Sequence, residues 1–199
     1  MTLQSLLPIL LFAVVATTTP GAATALATAS GASFGFKRSV PLLAGVGLGL
    51  ATLAAAAASG LAGLLLAAPF LHLFLKIAGS AYLLWLATQI GRKGRPHPAT
   101  DLAAPTSLVG GACLQWLNPK AWAMTLGAAA SFATLASGPG ELALLLGTAF
   151  GLTGILSMAL WCTAGLMLSR LLQSDLQWRV LNISLGLLLA ISIVPMWRA

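Results

Sequence analysis

The residue with the most chemical potential in this chain is a lysine deep in an apolar stretch, one position after a proline. In Gln115-Trp116-Leu117-Asn118-Pro119-Lys120 the proline removes a backbone donor and opens the helical ladder. A second break, Thr17-Thr18-Thr19-Pro20-Gly21, interrupts the first apolar stretch. Inside a bilayer, freed backbone groups persist only where protein or a water-filled cavity satisfies them. An ionisable side chain beside such a break is costly and marks function by default. Paired breaks at corresponding places in two halves point to the substrate site of a transporter. Past Pro20, a half-helix starting near Gly21 and Ala22 offers amides and the positive end of its dipole, which suit a carboxylate. The threonine hydroxyls beside it could add contacts, or could simply bond back to their own helix. Asn118 is placed to cap the half-helix that follows it, with Gln115 a turn earlier. The candidate substrate-binding set is therefore Thr19, Pro20, Gly21, Gln115, Asn118, Pro119 and Lys120.

The remaining ionisable groups exclude other chemistry. Lys76 lies about seven residues into its stretch, roughly 10 Å at 1.5 Å per residue. That is within snorkelling reach of the surface, so an anchoring role competes evenly with a functional one. His72 reads as interfacial. Asp101, Glu141 and Asp175 fall in loops or at span ends, so the intramembrane carboxylate relay of proton pumps is missing. His72 and His97 are far apart, and Cys113 and Cys162 sit in apolar spans as small hydrophobes, so no metal-ligand cluster forms. No Ser-His-Asp set lies within the membrane and no Gly-rich phosphate loop precedes a lysine. Neither an enzyme nor a bound cofactor is expected.

The elements that must position the lysine follow from composition. Of 199 residues, 59% are hydrophobic and 7% charged, too few polar groups for a soluble shell. A span needs roughly 20 mainly apolar residues. Six stretches qualify: 5–31, 40–67, 69–90, 109–136, 142–168 and 180–197. An all-α polytopic membrane protein with six transmembrane helices is expected. The apolar core at 6–16 resembles a signal peptide, but no Lys or Arg precedes it, so it is read as a retained first span. The net charge of +7 does not indicate nucleic acid, because no soluble surface exists to gather phosphate contacts. Instead Lys37, Arg38, Arg92, Lys93, Arg95, Arg170 and Arg179 all fall at odd-numbered loops, with Arg198 the one mild dissent. Lys/Arg asymmetry sets orientation, which puts the odd loops in the cytoplasm and both termini outside.

The polar stretch from Gly91 to Ser107 divides the spans three and three. The first half is 1–91, a cytoplasmic linker loop 92–107, and the second half 108–199, together forming a single transport domain. Three being odd, the halves enter the membrane from opposite sides, so an inverted 3+3 repeat with helices 1 and 4 broken is the natural hypothesis. Gly45 and Gly49 in the second span, and Gly147 and Gly151 in the fifth, repeat a small-xxx-small face that lets helices approach closely.

Three blocks carry a resemblance. Thr19-Pro20-Gly21 with Ser30-Gly31-Ala32-Ser33-Phe34-Gly35-Phe36-Lys37-Arg38-Ser39, then Leu75-Lys76-Ile77-Ala78-Gly79-Ser80-Ala81-Tyr82-Leu83, then Gln115-Trp116-Leu117-Asn118-Pro119-Lys120-Ala121-Trp122 resemble, in that order, the lysine/homoserine exporter family (LysE/RhtB type). The resemblance implies a bacterial inner-membrane secondary transporter that exports amino acids or close derivatives, driven by an ion gradient. Lys76, Tyr82 and Thr18 are taken as supporting residues. The family continues its first motif as Pro-Gly-Pro with Asn or Asp next, whereas here Ala22-Ala23 follows Gly21. The implied partners are an amino-acid substrate, the lipid bilayer and a coupling ion, expected to be a proton; homo-oligomerisation stays open. With no carboxylate in the membrane to balance a further cation beside Lys120, small neutral amino acids are expected rather than lysine or arginine. The alternatives are a non-transporting membrane scaffold and a passive channel. A scaffold would need no broken helices, and a channel would show charge rings or repeated carbonyl loops. Metal efflux lacks ligands.

Overall fold

A computed structural model of the chain describes residues 3–61, 68–95, 105–194 and 197. His97, Asp101 and Arg198, and the side chain of His72, lie outside the described residues, as do most of the linker and the end of the second expected span. Among the described residues there are seven α-helices and no strand: α1 (Leu3–Thr18), α2 (Ala22–Ala56), α3 (Pro69–Gly91), α4 (Leu108–Trp116), α5 (Pro119–Phe132), α6 (Pro139–Leu171) and α7 (Asp175–Ile191). A π-helical turn (Ala57–Leu61) extends α2, and a 3-10 turn (Ala133–Leu135) follows α5. Three helical segments, Ala22–Leu61, Leu73–Gly91 and Pro139–Leu171, are each long and apolar enough alone to cross a membrane.

Both proline sites interrupt helices. α1 stops at Thr18 and α2 starts at Ala22; α4 stops at Trp116 and α5 starts at Pro119. The loop expected between the first two spans, around residues 32–39, is instead a sharp bend at Gly35 (φ 77°, ψ 171°) inside α2. That φ lies in the region open mainly to glycine. In a straight helix Ser30 and Ser39 would sit about 13.5 Å apart along the axis. Their hydroxyls instead meet at 2.7 Å, and Ser39 Oγ donates to the Gly35 carbonyl at 2.8 Å. The chain therefore doubles back at Gly35, giving two arms, 22–34 and 36–56.

The first arm occupies the centre of the molecule. All eleven residues from Ala22 to Ala32 are buried, which a helix tolerates only if it has no polar face to keep wet. The sequence allows this because the run is Ala, Thr, Ser and Gly with a single Leu26. α6 packs most extensively on α2, and the contact is made through glycine. A Cβ on Gly31 would stand 2.0 Å from the Cys162 carbonyl oxygen, and one on Gly165 would stand 2.1 Å from that of Thr28. The glycines expected to form close faces are used in the same way. Gly45 and Gly49 lie against Leu108 and Ala112 of α4, and Gly147 and Gly151 against Ala51.

Polarity is arranged inside out. Thr17, Thr24, Thr28, Ser30, Gln115, Asn118, Thr125, Thr153 and Ser157 are buried, while Leu152, Leu156, Leu160, Met167 and Leu171 of α6 are exposed. Apolar side chains turned outward along one helix face, with hydroxyls and amides within, are the signature of a lipid-facing exterior.

The last helix begins earlier than expected. Asp175 and Arg179 belong to α7 rather than to the preceding loop, because Ser174 and Gln177 form a capping box. Gln177 N donates to Ser174 Oγ at 3.3 Å, and Ser174 N donates to Gln177 Oε1 at 3.0 Å. That S-x-x-Q spacing is readable in sequence and was outweighed by the apolar run that starts at Val180. α6 likewise starts at Pro139, a favoured first helical residue, with Glu141 accepting from Ser137 N at 2.8 Å.

Candidate functional site

Where α1 breaks, its last carbonyls need new donors. Pro20 has no N–H for Ala16. The Gly21 N–H, which a continuous helix would give to Thr17, goes instead to Thr24 Oγ1 at 2.8 Å. Ala22 and Ala23 open a new helix. Three side chains from elsewhere in the fold take over. Ser157 Oγ donates to the Thr17 carbonyl at 2.8 Å and Trp161 Nε1 to the Thr18 carbonyl at 3.1 Å. Lys120 Nζ donates to the Thr19 carbonyl. Ser157 and Trp161 are four apart on α6 and so share one face. An unmade buried bond costs about 1–3 kcal/mol, so Ser157 and Trp161 are what lets the break exist, while the Lys120 bond lies at its exposed edge.

At the second break the satisfaction is local. Asn118 Oδ1 accepts from Lys120 N at 3.1 Å, capping α5 as its sequence position suggested. Asn118 Nδ2 donates to Gln115 Oε1 at 3.3 Å, and the Trp122 indole donates to the Trp116 carbonyl at 2.7 Å. Gln115 and Asn118 are almost fully buried, at 2% and 3% exposure.

The two breaks face each other. Gly21, Gln115, Asn118 and Lys120 line one cavity together with Ala22, Ala23, Thr24 and Thr17 from the first break and Met124, Gly154 and Met158 from α5 and α6. Its volume is ≈ 20 Å³, room for about one water molecule. The first amides of a helix have no intrahelical acceptor, so those of Ala22 and Ala23 bring positive potential to the wall. The Lys120 stem lies on Gly21, where an added Cβ would stand 3.0 Å from Cδ.

The expected residues thus divide. The structure gathers Gly21, Gln115, Asn118 and Lys120 at the cavity. Thr19 contributes its carbonyl, while its hydroxyl and that of Thr18 bond back to Val15 and Val14 at 2.6 Å each. Pro20 and Pro119 act by what they remove from the backbone. Lys76 and Tyr82, on α3, do not line the cavity; the Tyr82 hydroxyl donates to the Gly110 carbonyl at 3.3 Å and its ring stacks on Trp85. Sequence reasoning missed Thr24, Ser157 and Trp161. Thr24 sits at the third position of a half-helix, a readable capping signal, but nothing local ties residues 157 and 161 to residues 17 and 18.

A helical, inside-out protein with two facing helix breaks and a lysine between them is a membrane transporter by architecture. The chain belongs to the LysE type translocator family, whose profile matches residues 14–192; its members are transporters rather than enzymes. It is similar to the cysteine/O-acetylserine efflux proteins of Escherichia coli (strain K12), Shigella flexneri and Shigella sonnei (strain Ss046). Each is 28% identical over 178 residues, covering 89% of this chain and 90% of the relative. No solved structure matches the chain.

Proposed function

We propose that this protein is a bacterial inner-membrane secondary transporter that exports small neutral amino acids or close derivatives, driven by an ion gradient, with a proton as the coupling ion. The observation that carries the reading is the meeting of the two breaks: Lys120 of the second donates to the Thr19 carbonyl of the first, beside a shared cavity. A zwitterion's carboxylate would find the Lys120 ammonium and the α2 amides. Its ammonium would find the carbonyl and amide oxygens of the same walls. The relatives' names point to the same class, since cysteine and O-acetylserine carry no net side-chain charge. Space for about one water means that the walls must part to admit either, as alternating access requires.

The contacts also support an inverted repeat of six spans. α1 packs on α6 as α4 packs on the 36–56 arm, and α3 packs chiefly on α7. Exchanging the halves maps the first of these contacts onto the second and the third onto itself. Basic residues gather at one end: Lys93 Nζ lies 4.6 Å over the Phe34 ring, and Arg95 Nη1 donates to the Gln173 carbonyl at 3.1 Å. That end is the proposed cytoplasmic face, with both termini opposite. Single cysteines at positions 37 and 92 are expected to resist impermeant thiol reagents on intact cells; labelling from outside would reverse the topology.

Substrate counterflow in proteoliposomes tests the function. Neutral amino acids are expected to compete for labelled cysteine or O-acetylserine flux, and lysine and arginine to compete at least about tenfold less well, since a second buried cation costs more than the roughly 1.4 kcal/mol that tenfold represents. Competition by the cationic amino acids alone would defeat the electrostatic argument. Absence of counterflow with any amino acid would favour the scaffold.

A further inference from the structure

A further cavity, lined by described residues, is away from the helix breaks. It lies between the C-terminal end of α3 and the first turns of α7, and measures ≈ 610 Å³. Arg92, Lys93 and Arg95 come from one side, and Arg179, Asp175 and Ile183 from the other. Four cations from two segments more than eighty residues apart in sequence thus line one space, with Asp175 as the carboxylate among its described lining residues. The loop that carries three of them is fixed to the fold. Asn182, buried at 1% exposure, donates through Nδ2 to the Lys93 carbonyl at 2.9 Å and to the Gly94 carbonyl at 3.3 Å. Arg95 reaches the Gln173 carbonyl and Lys93 lies over Phe34. The N-terminal end of α7 adds the positive pole of its dipole.

We propose that this cleft binds a phosphate group, carried by an anionic phospholipid headgroup. Guanidinium groups match phosphate oxygens in geometry as well as charge, and basic clefts between membrane helices suit anionic headgroups. The apolar part of the ligand also has a surface to lie on. Leu176, Val180, Ile183 and Leu187 are exposed and spaced 4, 3 and 4 along α7, so they form one stripe that starts at the cleft and runs along the helix. A free phosphate would use the cations but not this stripe.

The test uses the full chain purified in a mild, uncharged detergent. Thermal unfolding and native mass spectrometry are compared with added phosphatidylglycerol, phosphatidylcholine of the same acyl chains, and inorganic phosphate. Phosphatidylglycerol is expected to stabilise and to be retained, with an affinity that falls as salt rises, whereas phosphatidylcholine is not. Each guanidinium removed should weaken retention about fivefold, so Arg92→Gln with Arg179→Gln lowers it by more than about tenfold. Asp175→Asn, which removes the opposing charge, should strengthen it, and a variant that merely misfolds would not. Stabilisation by inorganic phosphate equal to that by phosphatidylglycerol would assign the site to the free ion. Equal retention of both lipids, or wild-type retention of phosphatidylglycerol by the double variant, overturns the proposal.

Discussion

Lys120→Ala is expected to abolish transport while leaving the protein folded in the membrane. The ammonium meets the Thr19 carbonyl, and among the described residues the carboxylates, Glu141 and Asp175, lie in the first turns of α6 and α7 rather than within a helix's apolar interior. The ammonium is therefore held beside the cavity by a neutral acceptor only. Placing a cation there is unfavourable for the fold, so removing it should cost little stability; the one orphan created is a carbonyl next to exposed Thr19 and Pro20. For a substrate carboxylate the loss is larger. A hydrogen bond to a charged group contributes about 1.5–3 kcal/mol, which is roughly 10- to 150-fold in affinity, and the charge that holds the two breaks together in the closed arrangement is lost as well. Counterflow per molecule of membrane-inserted protein should fall by at least about a hundredfold. Lys120→Arg should recover part of it, since the charge returns with a different shape. Wild-type flux in Lys120→Ala would reduce Lys120 to a structural donor.

How far the sequence reveals this site depends on whether each part is local. Both breaks are legible because a proline and its neighbours determine them within one turn: Pro20 and Pro119 end helices, and Asn118 caps the next one. The seat of the 22–34 arm at the centre is legible in retrospect, since an uninterrupted run of Ala, Thr, Ser and Gly can be buried on every side. The bend at Gly35 was hidden because Lys37 and Arg38 suggested an ordinary loop, whereas one glycine at φ 77° and the Ser30–Ser39 hydroxyl contact do the turning. The donors Ser157 and Trp161 could not be read at all. Each serves a carbonyl about 140 residues away, and the sequence around them is that of any lipid-facing helix. Lys76 shows the limit of the argument from charge. Its place near the start of an apolar stretch left anchoring and function evenly weighed, and its helix packs chiefly on α7, with Lys76 outside the lining of the cavity. Depth in a span indicates cost; only the fold tells which costly residue faces a break.

Gly31→Ala is expected to prevent folding, although it adds one carbon to a helix. Alanine favours helix over glycine by about 1 kcal/mol in water, so propensity alone predicts stabilisation. Packing decides the sign. The added carbon would stand 2.0 Å from the Cys162 carbonyl oxygen and 2.7 Å from its carbon. Those are backbone atoms of α6 and cannot rotate away as a side-chain end could. Gly165 meets Thr28 in the same manner from the other side, at 2.1 Å, so the two helices are pinned against each other at both points and cannot slide to make room. Relief requires separating α6 from the buried arm, which would pull Ser157 and Trp161 from the Thr17 and Thr18 carbonyls and reopen the break they stabilise. A loss on the order of 4 kcal/mol or more belongs to this kind of overpacking with orphaned polar groups. Gly127→Ala is the matched control, because nothing lies within 4 Å of its added carbon on α5; it should gain a few tenths to about 1 kcal/mol. Monodisperse yield after size-exclusion chromatography and the unfolding midpoint in one detergent measure both. A Gly31→Ala protein as stable as Gly127→Ala would mean that α2 and α6 are not in contact at Gly31, and the account of how the first break is satisfied would fail with it.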